Sequence, residues 1–172
     1  MILLEGVSMN LFLPYISLKD SMKALDDKRL NKQILEIKTM LKHAELHAIG
    51  KDNKKGYYFH PVTQHYLDYP NFLNECGIQA CKEYRYRFGK NHVDYEFFYH
   101  NIGRFTDKDY PHYIYAEGSK NSPNCIRETY LLYVCSLFQD KLIKKWKEDR
   151  AKGRPLKWTK RSQPFDEFSI RW

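Results

Sequence analysis

The 172-residue chain lacks any long hydrophobic run, and no stretch approaches the roughly 20 apolar residues that a membrane span needs. Its first seven residues carry no basic leader and no small-residue cleavage site, so they do not resemble a secretory signal. The four cysteines show no CxxC spacing, which argues against a zinc ribbon and against a disulfide framework. These absences predict an intracellular protein, in the cytoplasm or in a nucleus, without a membrane partner.

The short motifs of nucleotide and metal chemistry are also missing. The sequence contains no GxxxxGK[ST] phosphate loop, no GxGxxG turn, no GxSxG elbow and no HExxH zinc motif. His60 and His65 are five residues apart, so they do not form the i,i+4 pair of a helical metal site. We therefore expect neither a metal ion nor a cofactor.

Positive charge is abundant but unevenly placed. Residues 1–140 carry 18 basic and 17 acidic side chains, whereas residues 141–172 carry 11 basic and 4 acidic ones. Aromatic rings are interleaved with the C-terminal charges: Trp146, Trp158, Phe165, Phe168 and Trp172. Cations neutralise phosphates and rings stack on unpaired bases, so the segment is suited to nucleic acid. The alternative is a solvated helix end with a tail folded back by its aromatic rings.

The charges and rings of the C-terminal segment predict four nucleic-acid contacts there: Lys157, Trp158, Lys160 and Arg161. Two more candidates, Asn124 and Arg127, lie in the first turns of a predicted helix, where backbone N–H groups can hold a phosphate. Simple helix capping explains these two residues about as well. The oligomeric state does not follow from any of these patterns.

Hydrophobic spacing predicts a mainly α fold in a single compact domain. The clearest helix ends at Gly50 and has an apolar stripe at four-three spacing: Leu30, Ile34, Ile37, Leu41, Ala44 and Ala48. Ser17 marks an earlier helix start, Pro61 and Pro70 mark two later ones, and Gly89 ends the last of these. A short helix is expected over 93–102, and a long one from Ser122 to about Arg150.

The chain is expected to divide into three stretches. Residues 1–8 resemble an N-terminal extension, because Met9 begins a second start-like sequence. Residues 9–140 form the helical unit. Residues 141–172 form a basic segment packed on the same domain.

A second stripe, beside the apolar one, carries the candidate chemistry. It consists of polar side chains on the long helix: Arg29, Lys32, Gln33, Glu36 and His43. Its position beside the core makes it half-buried, which suits phosphate binding and proton transfer. Glu36 also lies four residues after Lys32, so a purely structural ion pair explains the same residues equally well.

His60 lies at a loop-to-helix junction between an aromatic residue and Pro61. An imidazole there can donate to a phosphate or orient a catalytic group. The alternative is a hydrogen bond to the backbone at the junction.

Three segments together carry a family resemblance. They are LDDKRLNKQILE over residues 25–36, HPVTQHY over residues 60–66, and the helix from Phe72 to Gly89 that ends in YRFG. The sequence resembles the pyrimidine-dimer DNA glycosylases of the endonuclease V type, in a bacterial and viral branch that carries an LDxKRLxKQ helix. The resemblance covers about residues 9–90.

This resemblance implies a compact helical enzyme that flips a base out of duplex DNA, forms a Schiff base at the sugar C1′ and cleaves the strand by β-elimination. Lys28 and Lys32 match basic phosphate contacts, and His60 matches a histidine of the family pattern. Arg29 occupies the position of the catalytic carboxylate, which leaves Glu36 as the nearby substitute. The implied catalytic residues are therefore Glu36, Lys32 and His60, with a lysine as one candidate nucleophile beside the N-terminal amine.

Three functions follow. The first is a DNA glycosylase and AP lyase with duplex DNA as its partner. The second is a non-catalytic DNA- or RNA-binding protein on the same fold, and the third is another base- or nucleotide-modifying enzyme. In each case Lys28, Arg29 and Gln33 complete the expected nucleic-acid surface.

Overall fold

A computed structural model describes residues 11–108 and 124–165 of the chain, with side chains for 11–108 and 135–165. These ranges contain six α-helices and one 3₁₀ turn. The elements are α1 (Leu18–Ala24), α2 (Asp27–Ala48), the 3₁₀ turn (Gly56–Phe59), α3 (Pro61–Tyr66), α4 (Pro70–Phe88), α5 (Tyr95–His100) and α6 (Asn124–Ala151). The predicted mainly α class is confirmed. In the part of the chain that is described, no helix is long and apolar enough to cross a bilayer.

Two capping residues separate α1 from α2. The Ser17 hydroxyl accepts a hydrogen bond from the Asp20 N–H at 3.2 Å, as expected of an N-cap serine. Asp26 caps α2 in the same way, because its carboxylate accepts from the Arg29 N–H at 3.2 Å. The chain therefore breaks between the two helices and restarts at Asp27.

The core lies where α2 packs against α4. The α2 residues Leu30, Ile34, Ile37, Leu41 and Ala44 are fully buried, as their spacing predicted, whereas Ala48 is exposed at the helix end. In α4, the backbone of Gly77 lies so close to the Phe98 ring of α5 that an added Cβ would clash with it. Gly89 ends α4 with a φ of +70°, a conformation that glycine adopts without strain.

The stretch before α1 is extended and buried, but it is not a strand. Leu11, Phe12 and Leu13 belong to the core. The Gln33 side chain, itself buried, holds this stretch: its Oε1 accepts from the Phe12 N–H at 2.9 Å, and its Nε2 donates to the Phe12 carbonyl at 3.1 Å. Gln33 thereby supplies both hydrogen bonds that a neighbouring strand would give.

Some predicted details differ in the structure. Hydrophobic spacing in the sequence also places Phe88 on the apolar face of its helix, but Phe88 is 37% exposed because it lies at the last turn of α4. The same spacing predicts that Leu137 and Trp146 of the last helix face inward; Leu137 is 43% exposed, whereas Trp146 is buried. The short helix α5 spans fewer residues than the predicted 93–102. Residues 1–8, Ser122, Phe168 and Trp172 lie outside the described ranges.

Candidate functional site

The N-terminus of α2 is held by a buried carboxylate. Asp26 accepts hydrogen bonds from the Arg29 guanidinium at 2.7 Å and from the Trp146 indole N–H at 3.0 Å. Arg29 also donates to Asp149 of α6 at 2.8 Å. Burial acts to raise the pKa of Asp149, but the hydrogen bonds from Arg29 and Arg154, together with the positive charges of Arg29 and Lys28, hold that pKa below its usual value. Arg29 is therefore held between two carboxylates.

The next residue along α2 binds the C-terminal segment. The Asp27 N–H donates to the Lys157 carbonyl at 2.8 Å, and the Asp27 carboxylate accepts from the Thr159 hydroxyl at 2.7 Å. The Trp158 indole N–H donates to the Ala24 carbonyl at 3.0 Å, at the end of α1. These contacts bring the basic segment after α6 to the first turn of α2.

Two of the predicted C-terminal cations contact α4. Arg161 donates two hydrogen bonds to the Glu83 carboxylate, both at 3.0 Å, and its guanidinium lies 4.1 Å from the centre of the Tyr86 ring. Lys160 donates to the Tyr86 carbonyl at 2.9 Å. The C-terminal segment is thus folded back on the domain by specific contacts. This agrees with the alternative stated in the sequence analysis, in which the tail packs back on the domain through its aromatic rings.

Four lysines remain exposed around this junction. We call them the basic edge: Lys28, Lys32, Lys157 and Lys160. Two come from the N-terminal turns of α2 and two from the segment bound to those turns. The fold therefore joins cations that are more than 120 residues apart in the sequence.

Lys32 and Glu36 form the pair expected from their spacing. The Lys32 Nζ lies 3.4 Å from a Glu36 carboxylate oxygen, and the Lys32 side chain is 56% exposed whereas that of Glu36 is 14% exposed. A half-buried carboxylate beside an accessible amine can transfer protons to and from that amine. The same contact is also the structural i,i+4 ion pair named as its alternative.

His43 continues the polar stripe further along α2. Its buried Nδ1 has no hydrogen-bond partner among the residues that the structure describes, and its ring meets the Tyr58 ring edge-on at 5.7 Å. Burial lowers the pKa of His43, which favours the neutral imidazole. His60 lies two residues beyond Tyr58 and caps α3, where its Nδ1 accepts from the Val62 N–H at 3.2 Å. His60 therefore makes the backbone hydrogen bond that was the alternative to a phosphate or catalytic contact.

The three predicted catalytic side chains do not all share one contact. Lys32 and Glu36 are paired, whereas His60 lies two residues beyond Tyr58, whose ring contacts His43 further along α2. His43 lies seven residues after Glu36, about 10 Å along the helix axis at about 1.5 Å per residue. His60 thus lies towards the opposite end of the stripe from Lys32.

The remaining predicted nucleic-acid contacts, Gln33, Asn124 and Arg127, are not part of the basic edge. Gln33 is 1% exposed and binds the backbone of Phe12, so its amide is engaged inside the protein. The side chains of Asn124 and Arg127 lie outside the described part of the structure. Among the described residues, no three His, Cys, Asp or Glu side chains are arranged to hold a metal ion.

Sequence reasoning missed the charged residues that assemble this region. Arg87, Glu83 and Asp27 form one buried cluster, in which Arg87 contacts Glu83 at 2.9 Å and Asp27 at 3.0 Å. The available signal was weak: Glu83 and Arg87 are spaced i,i+4 on α4, which equally describes a surface ion pair.

The fold and the basic edge describe a helical protein with a positively charged surface suited to a polyanion. Residues 9–97 match the family model for pyrimidine dimer DNA glycosylase. Because this match covers more than half of the chain, the protein belongs to the pyrimidine dimer DNA glycosylase family, and the resemblance found in the sequence is confirmed. Membership indicates a glycosylase-like function with DNA as the substrate. Searches of curated proteins and of solved structures find no match.

Proposed function

We propose that this protein is a DNA glycosylase and AP lyase acting on duplex DNA, with Lys32 and Glu36 at its reactive centre. The supporting observation is the Lys32–Glu36 pair, at 3.4 Å, on the turn of α2 that adjoins the basic edge. The other three lysines of the basic edge, Lys28, Lys157 and Lys160, would pair with backbone phosphates on both sides of the damaged nucleotide. This arrangement puts an amine and a carboxylate beside the sugar.

The proposed lyase reaction uses the Lys32 amine as the nucleophile and the Glu36 carboxylate as the proton carrier. Glu36 accepts a proton from Lys32, and the free amine attacks C1′ as the glycosidic bond breaks and the base leaves with a proton. The sugar ring then opens between C1′ and O4′: O4′ takes up a proton, and C1′ and the lysine nitrogen form a protonated Schiff base. The resulting Schiff base acidifies the C2′ hydrogens, so removal of one C2′ proton expels the 3′ phosphate by β-elimination. Water then hydrolyses the Schiff base and restores the amine. Glu36 is placed to carry protons when the amine attacks C1′ and when water hydrolyses the Schiff base.

The remaining predicted residues have different proposed roles. We propose that Arg29, Trp158 and Arg161 position the basic edge through the internal contacts described above, and that Gln33 holds the stretch before α1. Asn124 and Arg127 remain candidate phosphate contacts at the start of α6. His60 is proposed to fix the start of α3 rather than to contact the sugar.

Borohydride trapping tests this proposal. The protein is incubated with a duplex that contains one abasic site, and sodium borohydride reduces any Schiff base to a stable adduct. We expect an adduct with the unmodified protein and none with Lys32→Gln. Glu36→Gln should bind the duplex but cleave it about 10²- to 10⁴-fold more slowly, the usual contribution of a proton-transfer group.

Lys82→Gln, at an exposed position on α4, is the matched control and should leave trapping unchanged. Peptide mapping of the adduct identifies the attacking amine. Absence of both adduct and strand cleavage in the unmodified protein would contradict the lyase activity. An adduct that persists in Lys32→Gln and maps elsewhere would contradict the role given to Lys32.

A second candidate function is a non-catalytic DNA-binding protein. The observation that favours it is that Arg29, which the sequence resemblance places at the position of the family's catalytic carboxylate, is held between Asp26 and Asp149. Such a protein would bind duplex DNA in a salt-dependent way, and Glu36→Gln would bind equally well. It would give neither adduct nor cleavage, so the trapping experiment separates the two functions.

A further inference from the structure

The segment that joins α2 to α3 exposes large apolar side chains. Ile49, Tyr57 and Phe59 are 61%, 41% and 66% exposed. Three lysines, all exposed, lie among them in the sequence: Lys51, Lys54 and Lys55. We call residues 49–60 the aromatic–lysine loop. Exposed rings grouped with like charges indicate a binding surface rather than scattered surface residues.

The loop is anchored to the domain. Tyr58 is 7% exposed and packs against His43 of α2. The Lys51 N–H donates to the Leu46 carbonyl at 2.9 Å, and the Asp52 carboxylate lies 2.9 Å from the His47 ring nitrogen. The fold thus presents the exposed rings from a defined backbone.

The geometry of the 3₁₀ turn directs two rings outward. With three residues per turn, successive side chains point about 120° apart. Because Tyr58 points into the protein, Tyr57 and Phe59 project to either side of it and into solvent. Phe59 meets the Tyr58 ring edge-on at 5.1 Å, which steadies its position.

The charges of the loop select its partner. Its only carboxylate, Asp52, is engaged by His47, so the three lysines present net positive charge to a polyanion. Aromatic rings stack on bases only where the base faces are accessible, and duplex stacking hides those faces. The combination therefore fits a nucleic acid strand with unpaired bases.

We propose that the aromatic–lysine loop binds a nucleic acid strand with unpaired bases, with Tyr57 and Phe59 stacking on bases and the lysines pairing with phosphates. This surface is distinct from the proposed lyase centre. Glu36 lies 13 residues before Ile49, which follows the last residue of α2, and this corresponds to about 20 Å along the helix axis. The loop can therefore be tested without disturbing Lys32 or Glu36.

Fluorescence anisotropy with a labelled 20-nucleotide oligo(dT) and with a duplex of equal length tests the proposal. The double variant Tyr57→Ala/Phe59→Ala should weaken oligo(dT) binding at least about tenfold, as expected when stacking rings are lost. Duplex binding should change less than about twofold. Lys54→Gln/Lys55→Gln should lower the slope of log K against log salt for oligo(dT) by up to about 1.4, at about 0.7 per phosphate contact.

Two variants serve as controls. Phe59→Trp keeps a stacking ring and should retain oligo(dT) binding, whereas Tyr99→Ala removes an exposed ring from α5 and should have no effect. Equal losses in the ring variant and in Tyr99→Ala would overturn the proposal, as would unchanged oligo(dT) binding in the ring variant. Loss of binding to phosphatidylserine vesicles with unchanged oligo(dT) binding would assign the loop to a membrane surface instead.

Discussion

Arg87 shows how one side chain can join distant parts of the chain. Its side chain is fully buried and donates to the carboxylates of Glu83 and Asp27. It also donates to the carbonyls of Met22, Lys23 and Leu25, at 3.3, 3.0 and 2.8 Å. The last turn of a helix leaves such carbonyls unpaired, so Arg87 completes the end of α1 from α4.

Replacement of Arg87 should therefore be costly. We expect Arg87→Ala to lower the free energy of unfolding by about 3–5 kcal/mol, because it leaves Asp27 and the carbonyls at the end of α1 without this cation and leaves Glu83 with Arg161 alone. Urea denaturation followed by circular dichroism measures this. Arg85→Ala, at an exposed position on the same helix, should change the free energy by less than about 0.5 kcal/mol. Similar values for the two variants would contradict the role of Arg87.

At the scale of elements, aromatic rings also attach the segment after α6 to the domain. Trp146 and Trp158 meet edge-on at 5.2 Å, and Phe165 lies 5.0 Å from Trp146. Trp146 is fully buried, so the segment packs onto a ring that already belongs to the core. The Trp158 hydrogen bond to Ala24 then sets its direction across the start of α2.

Loss of the Trp158 ring should affect both stability and DNA binding. We expect Trp158→Ala to lower the free energy of unfolding by about 2–3 kcal/mol, less than for a fully buried tryptophan. Duplex binding should weaken as well, because Lys157 and Lys160 would no longer be held beside Lys28. Trp158→Phe keeps a ring and loses one hydrogen bond, so its cost should be about 1 kcal/mol. Thermal melts and anisotropy on the same samples compare the two, and unchanged duplex affinity in Trp158→Ala would contradict the positioning role.

Elements were predictable where a local rule determines them. Pro61, Pro70 and Gly89 mark helix ends in the sequence, and the stripe from Leu30 to Ala44 predicts the buried face of α2. The junction was not predictable, because the partners of Asp27 lie 60 and 132 residues away and nothing in local spacing points to them. The candidate site was predicted only where it is local, in the Lys32–Glu36 pair.

For the molecule as a whole, three histidine rings link stability to pH. Burial lowers the pKa of His43, His65 and His92. His92 also accepts a hydrogen bond at Nδ1 from the Asp94 N–H, which protonation of that nitrogen would remove. The unfolded chain therefore binds more protons than the folded protein as the pH falls through about 6.5.

The free energy of unfolding should accordingly be lower at pH 6.0 than at pH 7.5. His43→Phe keeps the ring contact with Tyr58 and removes one titrating group, so its stability should depend less on pH over this range. Urea denaturation at both pH values measures the difference. A second loss is expected below about pH 4, because Asp20, Asp68 and Asp149 have pKa values lowered by their cationic partners. Stability that rises as the pH falls from 7.5 to 6.0 would contradict this account.

The contacts of Asp26 and Asp27 have a consequence for dissecting this molecule. Both residues lie in the stretch that matches the family model, yet their partners Trp146, Lys157 and Thr159 lie beyond it. A fragment cut at residue 97 would expose these carboxylates and the cavity left by Trp146. Residues 9–97 are therefore not a unit that can be excised or transplanted by itself. A chimaera that keeps this fold needs α6 and the segment after it together with the family-matching residues.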